Sequence, residues 1–373
     1  MAKNINEVPY TELYERVQKL ARVGENNATK IRGVIQDIYK LEIPAKYDWN
    51  FLITSSSVTA IDEYHDGVLT ATTGSNTLYG SGGANFTQSM VGLKIKPSSN
   101  DQSYDIVAFQ NSTALTVNPS FQGGTNIAGA AYSIYRSIYP LASDFDRFPK
   151  PGGVYRWAGG SKQILPEDQY ANYVNNDFQT TATTPQKVRL VGNDTLGCMQ
   201  FEFIPPPRKA ANYGYDYFRV PAMLQESTQG TINSITANSN IVNGIGTRFT
   251  EAQTNGLWWF RVDQFGTGQD SSWYRILSIA HDSQMTLATA FANSSVTAGA
   301  SYTICSSPDM PSRMHTAILY GSLRALEVDQ NDPNAQFYHS QYAQVMSDAK
   351  RIYMSRPYSQ EITGAMEDYR YRR

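Results

Sequence analysis

Charge is scarce in this sequence: of 373 residues only 17% are Asp, Glu, Lys or Arg, against roughly 25% in an average globular domain. The 31 basic and 33 acidic residues leave a net charge of −2, so no global field exists to hold the chain on nucleic acid or on an anionic membrane. A tight, sequence-independent DNA binder is more basic than this. Cysteine is also rare. Cys198 and Cys305 are too few and too far apart for a disulfide framework or a metal cage, and both read as small buried hydrophobes. The four histidines, His65, His281, His315 and His339, are not paired at metal-ligand spacing and none stands near a cysteine. No stretch approaches the roughly twenty apolar residues of a membrane span, and Met1 to Val8 has no apolar signal region. The expectation is a protein made in the cytosol that stays soluble and has no membrane partner.

Catalytic signatures are missing too. Gly80-Ser81-Gly82-Gly83 is glycine-rich, but a phosphate cradle needs Gly-Lys-Ser/Thr leading into a helix, and a strand pattern follows instead. No Gly-x-Ser-x-Gly elbow occurs in the strand-and-helix setting it requires. The closest carboxylate pairs are Asp144/Asp146 and Glu167/Asp168; acids in loops beside proline read as caps and turns. Trp258, Trp259 and Trp273 could form a stacking platform, although such residues more often fill a core or a subunit contact. These readings predict a non-enzymatic protein without catalytic residues, cofactor or metal.

In place of charge the chain carries Asn, Gln, Ser, Thr, Gly and 25 Tyr. Tyr and Thr suit half-buried pleated surfaces, and Gly and Asn suit tight turns. The expectation is mostly β. Helical period appears only near the ends. Leu13, Val17, Leu20 and Ala21 share a face behind a capping Thr11. Ile31, Val34, Ile35 and Ile38 follow Thr29 in a second run that should stop before Pro44, and Trp49, Phe51 and Leu52 should pin these helices to the core. Towards the other end, Ile318, Leu319, Leu323 and Leu326 follow Pro311, where a first helical turn tolerates proline. A last helix should start at Asp332-Pro333 and carry the stripe Tyr338, Tyr342, Val345, Ala349 and Ile352, whose spacing demands a helical partner, expected to be the N-terminal pair.

The most informative feature is an internal repeat. Tyr104 to Ile134 matches Tyr274 to Ile304 without a gap, with Tyr104/Tyr274, Ile106/Ile276, Thr116/Thr286, Phe121/Phe291, Gly129/Gly299, Tyr132/Tyr302 and Ile134/Ile304 among the identical pairs. Upstream, Gly80-Ser81-Gly82 through Phe86-Thr87 resembles Gly244-Ile245-Gly246 through Phe249-Thr250. Each copy reads as about five short strands, which most simply curl into a small barrel or sandwich that hides its edges. The repeated glycines read as turns needing positive φ. Between the copies, Phe201-Glu202-Phe203-Ile204 and Tyr213-Gly214-Tyr215-Asp216-Tyr217-Phe218 alternate like the arms of a hairpin joined by Pro205-Pro206-Pro207. The fold class is therefore α+β and mostly β: a frame of N- and C-terminal helices, a central β-region and two inserted small β-barrel or sandwich modules. The expected divisions are 1–54 for the N-terminal helices, 55–136 for the first module, 137–223 for the central region, 224–306 for the second module and 307–373 for the C-terminal helices and tail.

Three segments together resemble the head-to-tail adaptor (connector, or tail tubular protein-like) family of tailed bacteriophages. They are the N-terminal helix ending in Ile38-Tyr39 with Trp49-x-Phe51-Leu52; the block Tyr139-Pro140-Leu141, Asp144-Phe145-x-Arg147 and Phe-x-Phe-x-Pro-x-Pro; and the helices carrying Ala317-Ile318-Leu319-Tyr320 and Tyr338/Tyr342. The order of these short motifs carries the likeness. The two inserted modules make the chain larger than a minimal adaptor, and they resemble β-modules that recur in phage virion proteins. The resemblance implies a virion structural protein assembled in the host cytoplasm and sited in the neck. It implies a homo-oligomeric ring of twelve copies beneath the portal protein, bearing a tail or nozzle protein below and possible contacts with tail fibres. Double-stranded DNA would transit its channel without sequence-specific binding. Within that reading the Tyr369-Arg370-Tyr371-Arg372-Arg373 end is the candidate portal contact. The competing reading is a glycan-binding or other structural tail protein.

Overall fold

The computed structural model describes residues 7–21, 27–100, 102–149, 154–157, 160–164, 185, 187–253, 257–264, 272–296, 298–330 and 334–354. It is a mixed α and β structure in which strands predominate. The chain divides into two compact units, one made of Met1–Leu52 with Val220–Arg373 and the other of Ile53–Arg219.

The first unit opens with helix α1 (Tyr10–Leu20), which buries Tyr10, Leu13 and Val17. Thr11 does not cap it. Pro9 holds the cap position without a side-chain bond, and the Thr11 hydroxyl, one step inside the helix, donates to Glu226. Leu20, expected on the buried face, is 46% exposed. Helix α2 (Ala28–Asp37) buries Ile31 and Ile35. It does not stop before Pro44. A π-helical turn at Ile38–Glu42 leads into α3 (Ile43–Lys46), so the proline falls in the first turn of a new segment, where no intrahelical acceptor needs its missing N–H. Trp49 is fully buried, donates its indole N–H to Ile43 O at 2.7 Å and bridges to Met354 at the far end of the sequence. The aromatic cluster thus pins the helices as expected.

The second unit begins with strand β1 (Ile53–Ala60). It pairs along its whole length with a strand some 150 residues later (below), and so lies outside the first module. That module comprises β2 (Val68–Ala71), β3 (Thr77–Ser81), β4 (Lys94–Pro97), β5 (Tyr104–Asn111), β6 (Ala114–Asn118), β7 (Ile127–Ala130) and β8 (Tyr132–Tyr135), ordered β7-β2-β3-β6-β5-β4-β8. The two ends of this sheet, β7 against β2 and β8 against β4, are separated in the chain by Ala131 alone. Ala130 and Tyr132 can stand no more than roughly 7 Å apart, so the sheet must curl until its edges meet. Leu69, Leu78, Phe86, Ile95, Tyr104, Leu115 and Phe121 fill the interior; each such side chain contributes about 1.5–3 kcal/mol by leaving water.

The central region adds β9 (Ile138–Pro140), β10 (Phe145–Arg147), β11 (Val154–Trp157), β12 (Gly160–Ile164), β13 (Lys187–Asn193), β14 (Met199–Ile204) and β15 (Ala211–Arg219). The expected β14–β15 hairpin does not form. β14 joins a five-stranded sheet ordered β11-β12-β13-β14-β9, and β15 lies between β1 and β10 in a three-stranded sheet. The prolines at 205–207 offer no N–H to a ladder, so the chain leaves one sheet there and enters the other. The alternating aromatics that suggested a hairpin meet face to face between the two sheets: Phe203 packs on Tyr213 with ring centroids 4.8 Å apart, and Phe201 on Tyr215 at 6.3 Å.

The second module, back in the first unit, contains β16 (Glu226–Ser227), β17 (Thr231–Ile235), β18 (Ile241–Ile245), β19 (Trp258–Gln264), β20 (Tyr274–His281), β21 (Gln284–Leu287) and β22 (Ser301–Ser306). Its order, β16-β22-β19-β20-β21-β18-β17, repeats that of the first, and bridges from Ile232 to Ala300 and from Ile235 to Val296 stand in for β7 on β2. The likeness reaches single atoms. The hydroxyls of Tyr132 and Tyr302 donate to Asp66 O and Gln229 O. The Tyr104 hydroxyl accepts from Gln122 N, and the Tyr274 hydroxyl from Ala292 N. Gly74 and Asn238 occupy equivalent turns at φ +84° and +65°, the second being the sole non-glycine with positive φ among the described residues. Gly80 and Gly244 serve a different purpose from the expected turn: a Cβ there would stand 2.8 and 3.0 Å from the tips of Phe86 and Phe249.

Helices α4 (Ser312–Gln330) and α5 (Ala335–Tyr353) close the first unit. α4 buries Met314, Ala317, Ile318, Leu323 and Leu326. α5 buries Tyr342, Met346 and Ala349, whereas Ile352 is 50% exposed: at about 100° per residue the buried stripe passes through 346 rather than reaching 352. Its main partner is α4, and α4 in turn lies against α1 and α2. The expected start of α5 at Asp332-Pro333 lies outside the described residues.

Candidate docking surfaces

The residues that could have carried chemistry are occupied with packing or stand alone. His315 is buried, accepts the Val8 N–H on Nδ1 at 3.0 Å and has Nε2 within 3.2 Å of both Pro308 O and Met310 O. Burial lowers its pKa, which keeps the ring neutral, as both sets of partners require. His65, His281 and His339 are exposed on separate elements. Asp144 accepts the Tyr217 hydroxyl at 2.6 Å, and Asp146 pairs with Arg147. Glu167 and Asp168 lie outside the described residues, as does the Tyr369–Arg373 end. Gly82 and Gly83 have φ of +63° and +99°, fitting a turn. Among the described residues no three His, Cys, Asp or Glu side chains converge as a metal site requires, and no helix there is long and apolar enough to cross a membrane.

The three tryptophans do not form an open platform. Trp258 lies in the core of the second module. Trp259 faces the other way on β19 and is nevertheless buried, its indole N–H without an acceptor among the described residues. Trp273 is covered by the Arg261 guanidinium, 4.6 Å above the ring.

What these residues build is a junction between the helices and the second module. The Arg261 guanidinium donates to both Glu15 carboxylate oxygens on α1, at 2.8 and 3.2 Å, and through Nε to Asp263 at 2.8 Å. Thr303 on β22 donates to the other Asp263 oxygen at 2.5 Å. Burial opposes the guanidinium charge, but the hydrogen bonds from the two carboxylates outweigh it and hold the pKa above its ordinary value. Beside this cluster, Glu226 on β16 takes the Thr11 hydroxyl and an ion pair from Arg32 on α2. The Gln36 side-chain amide bonds Leu224 in both directions, Nε2 to O at 2.5 Å and N to Oε1 at 3.2 Å. Cys305 lies between, fully buried, its thiol pKa pushed up to about 12 by burial.

Comparison of the two copies could have located this junction in the sequence. The strand register sets Trp259 and Arg261 where the first module has Lys94 and Lys96. In the first module Lys94 makes a surface pair with Asp105 at 2.9 Å. The repeat with large residues at these outward positions is the one whose outer face is covered.

Among the exposed features of the described residues are a turn, a repeated bulge and a strand edge. Leu196, 86% exposed, projects from a tight β13–β14 turn in which Asp194 Oδ1 accepts the N–H groups of Leu196 and Cys198. Val107 and Leu277 sit at the same bulge of β5 and β20, 48% and 67% exposed. The outer edge of β1 pairs with no other strand among the described residues. The chain matches no protein-family model and no curated protein.

Proposed function

We propose that the chain is a virion structural protein, the head-to-tail adaptor of a tailed bacteriophage, acting as one of twelve copies in a ring between portal and tail. The observation that supports it best is the order of parts. Segments from the two ends of the sequence, each resembling adaptor helices, pack into one unit through α1, α2, α4 and α5, and an aromatic β-region resembling the family's centre separates them in the sequence. In this reading the frame is the helical set, and the two modules are additions offering surface to tail or fibre proteins. The low net charge suits a conduit that must let DNA pass. Burial of Trp258, Trp259 and Trp273 gives the glycan-binding alternative no platform from those residues.

The test is negative-stain imaging of the purified protein, alone and with portal-bearing heads. A ring with a central hole that caps the portal vertex is expected; a trimeric spike, or a monomer that ignores the heads, would overturn the proposal. The portal contact of Tyr369 to Arg373 is tested separately by truncation after Tyr358. Loss of attachment to heads is expected, and normal attachment would exclude that contact.

A further inference from the structure

We infer that the open edge of β1 is a strand-addition surface, and that its occupant is the β1 edge of a second copy of this chain. An edge strand exposes a row of backbone donors and acceptors, and natural proteins guard such rows with charge, proline, bulges or brevity. β1 has none of these. Its eight residues, Ile53 to Ala60, contain no charged residue and no proline, and they pair with β15 in unbroken register from Ile53↔Phe218 to Ala60↔Ala211. The side chains do not shield the edge either. Ser55 and Thr59 donate their hydroxyls sideways to Asp216 and Asn212 on β15, each at 2.6 Å, while Val58 and Ala60 point into the core. The alternate N–H and C=O groups directed away from β15 have no partner among the described residues, enough for roughly eight hydrogen bonds to an antiparallel partner.

The other edges of the described sheets are guarded. β10 is three residues long, bulged, and carries Asp146 and Arg147. β9 is equally short and ends in Pro140, β16 has two residues, and β11 has four. In the modules the edges are drawn together by curling.

A second copy fits because the strand is complementary to itself. An antiparallel pair centred on Ser57 sets Ser57 against Ser57, Ser56 against Val58, Ser55 against Thr59 and Thr54 against Ala60. Every pair is small and uncharged, and core-facing positions meet core-facing positions. Asp216, beside Ser55, would lie three strand spacings across the sheet, about 14 Å, and four residues along it, about 13 Å, from its mate, beyond a Debye length of roughly 8 Å at physiological salt. Such a two-fold contact closes at two copies. It is therefore separate from any contact that a ring repeats, and it does not rest on the adaptor reading.

The full chain is tested by light scattering coupled to size exclusion and by amide exchange over a concentration series. Expected are a mass twice that of one chain, or twice that of the ring where rings form, and protection of residues 53–60 that grows with concentration. Ser57→Lys sets two ammonium groups against each other at the centre and should weaken the pair about tenfold or more, with an unchanged far-ultraviolet spectrum. Val107→Lys, on an exposed module bulge, should leave the pair intact. A monomer at every concentration, exchange at 53–60 that ignores concentration, or a Ser57→Lys protein that pairs like the original would each overturn the inference. A ring unaffected by Ser57→Lys, with β1 exchanging freely, would also overturn it while leaving the adaptor reading standing.

Discussion

Gly321 lies inside α4, where glycine is the wrong choice by intrinsic preference: replacing it with alanine should gain about 1 kcal/mol of helix propensity. The packing opposes that gain. A Cβ at this position would stand 2.8 Å from Ile38 Cγ2 and 3.1 Å from Tyr342 Cε2. Neither neighbour can yield cheaply, because Ile38 is β-branched and buried in the π-helical turn and the Tyr342 ring is fully buried on α5. Overpacking a filled core costs about 1–3 kcal/mol, so Gly321→Ala should lose up to about 2 kcal/mol net. Urea denaturation followed at 222 nm measures this. The sharper test is a double-mutant cycle with Ile38→Ala, which removes the obstructing methyl. In that background Gly321→Ala should change sign and stabilise by several tenths of a kcal/mol or more, as expected of residues coupled by direct contact. If Gly321→Ala stabilises the otherwise unaltered protein, or if its effect is the same in both backgrounds, close packing of the π-helical turn, α4 and α5 at this glycine is wrong.

Tyr132→Phe and Tyr302→Phe each strand a carbonyl acceptor, Asp66 O or Gln229 O, and should cost about 1–2 kcal/mol apiece in denaturant titrations; costs differing severalfold would argue that the two copies are not held alike. Cys305 should resist thiol reagents at pH 8, because burial pushes its pKa up to about 12 and the thiolate is the reactive form. Titration should therefore find Cys198 first and Cys305 only on unfolding. His315 has its pKa lowered by burial, so the unfolded chain binds the proton more readily. The stability due to the neutral ring is present above the unfolded value near 6.5 and is lost as pH falls through and below it. The original protein should weaken between pH 7.5 and 5.5, and His315→Gln, though less stable at the start, should lose less over the same interval; parallel losses would refute the assignment.

The repeat was legible because it is written residue by residue: Tyr104/Tyr274 and Tyr132/Tyr302 recur at one offset, and their hydroxyls recur in one hydrogen-bond pattern. Helix positions near the ends were legible from their period, and Trp49 from its setting among aromatics. The errors share one cause. Alternation in β14 and β15 says that one side of each strand is buried, but not against what, and a hairpin and a two-sheet sandwich produce the same pattern. The long pairing of β1 with β15 joins Ile53 to Phe218, and nothing local to either strand records it. Thr11 looked like a cap because capping and tertiary hydrogen bonding use the same hydroxyl; its acceptor, Glu226, lies 215 residues away.

The low charge, the duplicated module and the helical ends were determined by the sequence itself, since composition, repetition and period are local properties that need no partner. Only the tertiary structure decided that the second module's outer face is covered by α1 and α2 through Arg261, Glu226 and Cys305, while β1 keeps an edge that no other described strand covers. Which surface is covered depends on pairings hundreds of residues apart, and a side chain at an outward position reads the same whether it meets water or another element.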